Sequence, residues 1–200
     1  MNQDDLFRWL MVVGLLVTLA IALPYRLKSQ ATREPLDRRQ EGLFILATLR
    51  PVGAVLWLGV FAYMINPAWL AWSSVAVPVW VRWIGAGVCP AAAAMLYWTM
   101  STLGPNLTDT VVTRKAATLV TRGPYRWIRH PFYGSVTLLM LAMALLAANW
   151  FLLLAGSLLV GLLVMRTDKE EELLVARFGD AYREYMSRTG RFFQIGRAHV

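Results

Sequence analysis

The fold turns on residues 135–165, SVTLLMLAMALLAANWFLLLAGSLLVGLLVM, an apolar block without a charged side chain. As one helix the block would extend about 46 Å, well past a hydrocarbon core of about 30 Å. Broken near Asn149 it gives two helices of about 21 to 24 Å, each short for a complete crossing. Length does not choose between the two.

Charge does. Cytoplasmic loops beside spans collect Lys and Arg, and translocated loops do not. The segment 103–131 carries Arg114, Lys115, Arg122, Arg126 and Arg129, and the tail after Met165 carries Arg166, Lys169, Arg177, Arg183, Arg188, Arg191 and Arg197. Both flanks belong on the cytoplasmic side, so the block turns back, with Ala148-Asn149-Trp150 as its uncharged outer turn. Three further apolar blocks run from Leu6 to Tyr25, roughly Leu43 to Ile65, and Val77 to Met100. Between the first two lie Arg26, Lys28, Arg33, Arg38 and Arg39, whereas 66–77 holds no basic residue. The pattern predicts an all-α integral membrane protein of five transmembrane helices, multi-pass, with the N-terminus outside and the C-terminus cytoplasmic (in the inner membrane if the source is bacterial). The last two helices form a short hairpin. The expected organisation is three N-terminal helices over 1–102, a second region over 103–195, and a tail at 196–200 that stands outside the fold.

Composition agrees. The 200 residues are 58% hydrophobic and 16% charged, more apolar than a soluble domain at roughly half. The net charge of +8 comes from residues flanking apolar blocks, not from a basic patch with interleaved aromatics. Anionic lipid headgroups, not nucleic acid, are the expected counter-charge. Cys89 is alone and the histidines are His130 and His199, so no intrachain disulfide can form and no metal site is expected. The run Leu6 to Ala22 follows Asp4 and Asp5 and ends in Leu-Pro-Tyr-Arg without a small-residue cleavage site, which reads as a first span and not a cleavable signal. Arg50 and Arg82 interrupt the apolar blocks. Either Arg50 begins its span beside Pro51 and Arg82 snorkels to the outer interface, or a guanidinium faces a pocket.

Between the third block and the hairpin lies GPYRWIRHPFYGS, residues 123–135. Gly123-Pro124 breaks a helix, and Pro131 holds Arg129 and His130 in extended or turn geometry at the membrane surface. After the hairpin come Glu170, Glu171 and Glu172, and then Leu174, Phe178, Tyr182 and Tyr185 or Met186 at spacings of three and four. That spacing predicts a cytoplasmic C-terminal amphipathic helix. Taken alone, the Arg and aromatic residues of the first motif fit a stop-and-turn at a lipid interface. The three carboxylates equally fit a helix N-terminus and its dipole.

Together the two motifs, GPYRWIRHPFY and EE followed by FGDAYREYMSRTGRFF, resemble the isoprenylcysteine carboxyl methyltransferase family, which is related to phospholipid N-methyltransferases. The resemblance spans about Leu103 to Phe193. It implies a methyltransferase using S-adenosylmethionine and acting on a lipophilic or lipidated acceptor, a prenylcysteine-type carboxylate or a thiol. It further implies a cofactor site formed by Leu119, Val120, Gly123, Tyr125, His130, Pro131, Tyr133, Glu170 and Glu171. Arg129, with Arg166 as a second, would orient an anionic substrate group. An amine acceptor would need its proton removed, for which only His130 or a Glu is at hand, so carboxylate or thiolate ranks first. A phospholipid amine methyltransferase is the alternative, as is a non-catalytic or reductase-like protein of the same fold. The chain departs from the family in Asn106-Leu107-Thr108 and at Ala117, where Trp and His are usual.

Overall fold

The computed structural model describes residues 3–31, 43–104 and 118–193. They form helices α1 (Gln3–Ala31), α2 (Leu43–Ile65), α3 (Val79–Leu103), α4 (Pro131–Ala147), α5 (Trp150–Phe178) and α6 (Asp180–Arg188), with 3-10 turns at Pro67–Ser73 and Gly123–Arg126. Among the described residues there is no β-strand beyond two isolated bridges. Residues 105–117 and 194–200, which include Asn106, Leu107, Thr108, Arg114, Lys115, Ala117 and Arg197, lie outside the described residues, as do Arg33, Arg38 and Arg39.

The block 135–165 does turn back. Ala148 ends α4 with φ 47°, and Asn149 starts α5, accepting a hydrogen bond from the Leu152 amide through its side chain. Four helices are long and apolar enough to cross a membrane: Gln3–Ser29, Ala47–Ile65, Val79–Leu103 and Trp150–Phe178. The protein is a multi-pass membrane protein. The fifth apolar helix, α4, has 17 residues and at about 25 Å falls short of the core thickness. The sequence also predicts an amphipathic helix separate from the hairpin. In the structure the hairpin's second arm runs without a break through Arg166 and the three carboxylates to Phe178, because nothing between Met165 and Glu172 interrupts a helix. The chain breaks only at Gly179, which has φ 58°, and α6 follows.

α3 and α4 make the most extensive helix contact. At their crossing an added Cβ on Gly85 would lie 2.8 Å from Leu145 Cβ and 3.0 Å from both Ala142 O and Leu146 N. The helices approach backbone to backbone, the arrangement that small residues permit inside a bilayer. Nearby, Arg82 is buried and does not snorkel. Its Nε donates to Leu146 O at 3.0 Å, its Nη1 meets Asp4 Oδ1 at 2.5 Å, and Nη2 reaches Tyr63 Oη at 3.5 Å. Its guanidinium lies 4.2 Å from the centroid of the Phe7 ring. One side chain thus ties α1, α2 and α4 to α3. Arg50, by contrast, is exposed on α2.

The same end is closed by Asn149, whose Nδ2 donates to Leu70 O at 3.2 Å and Ser73 Oγ at 2.9 Å. Trp69, Trp72, Trp80, Trp83 and Trp150 are exposed around it, as expected of an aromatic belt at a membrane interface.

Gly85→Ala should lower stability by about 1–3 kcal/mol, because helix backbones and not flexible side-chain ends must move. Gly87→Ala, where no atom lies within 4 Å of the added Cβ, should be close to neutral. Thermal unfolding of both variants in the same detergent checks the difference.

Candidate functional site

The motif 123–133 opens with the turn Gly123–Arg126. Gly123 has φ +58°, and a Cβ there would stand 2.5 Å from Thr102 Oγ1. Both backbone conformation and space require glycine. The turn is thereby seated on the end of α3, where Trp127 packs edge-on against Trp98 at 5.7 Å.

The next residues pair with the C-terminal segment. Gly190 N donates to Trp127 O at 3.1 Å, Arg129 N to Gly190 O at 2.9 Å and His130 N to Arg191 O at 3.1 Å. Pro131 then occupies the first turn of α4, where its missing N–H costs nothing. One turn of α4 brings the Tyr133 ring parallel to His130, with centroids 5.5 Å apart and planes 3° apart.

Opposite stands α5. Glu171 is 4% exposed. Its Oε1 accepts from Arg129 Nε at 2.8 Å and faces His130 Nε2 at 3.0 Å, and its Oε2 accepts from Arg191 Nη2 at 2.7 Å. Glu170 is more open; its Oε2 accepts from Tyr133 Oη at 2.7 Å and lies 3.9 Å from His130 Nδ1. Arg191 Nη1 also holds Asp168 Oδ1 at 2.6 Å. Arg129 Nη1 donates to the carbonyls of Met186 (3.1 Å) and Thr189, at the end of α6. Tyr185 Oη donates to Tyr125 O at 2.6 Å, and this buried contact fastens α6 under the glycine turn.

Of the residues singled out from sequence, Arg129, His130, Tyr133, Glu170 and Glu171 form one hydrogen-bonded and stacked cluster, and Tyr125 joins it through Tyr185. Pro131 is buried at the head of α4. Leu119 and Val120 are half-buried on the irregular stretch leading to the turn, and Arg166 is half-buried on α5, one helical turn before Glu170. Asp168, Tyr185, Thr189 and Arg191 were not among the expected site residues. Arg191 and Tyr185 act over separations of 20 and 60 residues, which local patterning does not report. Asp168 and Glu171 did carry a signal, since carboxylates three apart on a helix share a face. Among the described residues no group of His, Cys, Asp and Glu is placed to hold a metal ion.

Residues 83–176 match the isoprenylcysteine carboxyl methyltransferase (ICMT) family. Over that segment, just under half of the chain, the sequence is similar to this family. The match takes in most of α3, all of α4 and most of α5, hence His130, Tyr133, Glu170 and Glu171, and it ends before α6 and Arg191. The chain is also similar to an uncharacterized protein of Bacillus subtilis, YpbQ, with 34% identity over 65 residues, 32% of this chain and 39% of that protein. Among solved structures it resembles that of the eukaryotic intramembrane Ras methyltransferase ICMT, with a TM-score of 0.52 and 24% identity over 71% of this chain and 50% of that one. That likeness is one of fold. The matched part of the chain spans half or less of the length of these relatives.

Burial pushes the Tyr185 hydroxyl up to about 12 from an ordinary value near 10. The folded state therefore binds this proton more tightly than the unfolded chain. Its contribution is fully present below about pH 10 and is lost as the pH rises from about 10 to about 12. Tyr185→Phe should lower stability at neutral pH by about 1–2 kcal/mol, through the unpaired Tyr125 carbonyl. The variant should also show a shallower fall in unfolding midpoint across that alkaline range than the parent.

Proposed function

We propose that the chain is a membrane methyltransferase that takes S-adenosylmethionine as donor and methylates a lipophilic acceptor, a prenylcysteine-type carboxylate or a thiol, at the membrane–cytosol interface. The observation that carries this is the cluster of Glu170 and Glu171 against the stacked rings of His130 and Tyr133, inside the family-matched segment. The donor set suits such a cofactor. Asp168, Glu170 and Glu171 face Arg129 and Arg191, which leaves one negative charge in excess beside aromatic faces, a setting that favours a cationic group. When bound, S-adenosylmethionine supplies an electrophilic methyl group on a sulfonium.

The two carboxylates divide the work. Glu171 has both oxygens engaged by Arg129, His130 and Arg191, so it holds the framework in place. Glu170, with a side chain 26% exposed, is the carboxylate that meets the donor's positive charge. His130 and Tyr133 present ring faces, Gly123 lets backbone approach closely, and Leu119, Val120, Tyr125 and Pro131 complete the walls.

We assign Arg129 to holding Glu171 and the end of α6, since its guanidinium is committed to those partners. The anionic group of the acceptor then falls to Arg166, which stands on the bilayer side of Glu170 along α5. An acceptor carboxylate with a pKa near 3.5 is already ionised at neutral pH and needs no base; alignment of the reacting atoms supplies the rate. An amine acceptor fits less well, because its proton would have to be removed and the His130 ring is already engaged with Glu171 through Nε2.

Calorimetry on detergent-purified protein should show S-adenosylhomocysteine binding at about micromolar Kd, weakened at least about tenfold in His130→Ala and Glu170→Gln. No binding by the intact protein would end this proposal. We further propose, from the distribution of Lys and Arg beside the spans, that the site end lies in the cytosol. In a Cys89→Ser background, an impermeant maleimide added to intact cells should label Trp69→Cys, and should label Arg188→Cys only after permeabilisation.

A further inference from the structure

Arg191 lies beyond the family-matched residues, yet it makes two of the shortest polar contacts at the site. Its guanidinium forks across two carboxylates on one face of α5, with Nη1 on Asp168 Oδ1 at 2.6 Å and Nη2 on Glu171 Oε2 at 2.7 Å. Its carbonyl accepts from His130 N at 3.1 Å, and the next ring, Phe192, lies 5.9 Å from His130. The side chain is 36% exposed and its Asp168 partner 69%, while the Glu171 end is desolvated at 5%.

We propose that Arg191 is a positioning residue of the cofactor site: it fixes the rotation of the Glu171 carboxylate, and through it the His130 ring that stacks on Tyr133 and so places Glu170. This rests on the methyltransferase assignment above. Arg129 and His130 both bond Glu171 through Oε1, which leaves Oε2 able to swing as the carboxylate pivots about Oε1. Arg191 is the donor on Oε2 and removes that freedom. It also screens Asp168 from Glu171, two like charges three residues apart on one helix face that would otherwise repel. The fork matters as well as the charge, because a planar guanidinium spans two acceptors while an ammonium is a point charge. Since the outer half of the fork is open to solvent, its worth to global stability is small, and its effect is concentrated on geometry.

The test is S-adenosylhomocysteine binding to the full chain in detergent, measured by calorimetry for the parent, Arg191→Ala, Arg191→Lys and Asp168→Asn, with thermal unfolding of each. The expected result is a loss of affinity of about tenfold or more in Arg191→Ala, partial recovery in Arg191→Lys, and a loss of about two- to threefold in Asp168→Asn. Unfolding midpoints should stay within about 2–4 °C of the parent, as removal of partly exposed pairs implies. Unchanged affinity in Arg191→Ala overturns the proposal, because the fork is then surface decoration. Tighter binding also overturns it, because the guanidinium is then a competitor of the ligand's cationic group. Should Arg191→Ala fail to fold, Arg191→Lys and Asp168→Asn decide: parental affinity in both overturns the proposal. A parent that binds no S-adenosylhomocysteine refutes the cofactor assignment itself, whereas binding by the parent with no change in the variants refutes only the role of Arg191.

Discussion

A carboxylate withdrawn from water must be met by donors or give up its charge, and Glu171 is where the end of the molecule that holds the candidate site meets that demand. Its partners come from the 129–130 segment and from the C-terminal segment at Arg191, and it stands itself on α5. Those segments, far apart in sequence, are held at one place by a single desolvated side chain. Much around it follows. Arg129, in reaching Glu171, also satisfies the last carbonyls of α6. The backbone pairing of 127–130 with 190–191 keeps Arg191 in range, and His130, bonded to Glu171, presents its face to Tyr133.

The other end of the bundle is governed by similar physics. Arg82 is the costly group there, a guanidinium among apolar helices, and it is offset by a carboxylate, a carbonyl, a phenol and an aromatic face drawn from three other helices. Asn149 likewise satisfies the turn between α4 and α5 and binds it to the loop after α2. With both ends tied by polar contacts, the middle can be nearly featureless Leu, Ala and Met, which in lipid gain little from one another except through close packing such as that at Gly85.

A great deal of this was legible in the sequence. The turn at Ala148-Asn149 followed from charge on both flanks of one apolar block, a rule that needs no tertiary contact. Gly123-Pro124 and His130-Pro131 announced a rigid non-helical entry to α4, since their backbone limits are local. The Glu pair and the Arg-His-Pro-Phe-Tyr run were recognisable as belonging together. The continuity of α5 through Arg166 and the carboxylates was less legible, because a change from apolar to charged residues marks the edge of a membrane and not the end of a helix.

Sequence by itself determined the membrane class, the position of the hairpin turn, and which short motifs carry the polar chemistry, because hydropathy, loop charge and proline and glycine geometry act within a few residues. Tertiary structure alone decided who bonds whom. Arg129 could serve an acceptor or the protein's own helix end, Arg82 could snorkel or be buried, and Arg191 could be one more charge on a basic tail. Each choice depends on which partner lies within about 3 Å, the reach of a hydrogen bond, and the fold settles that by bringing together residues that the chain places 20 to 78 positions apart.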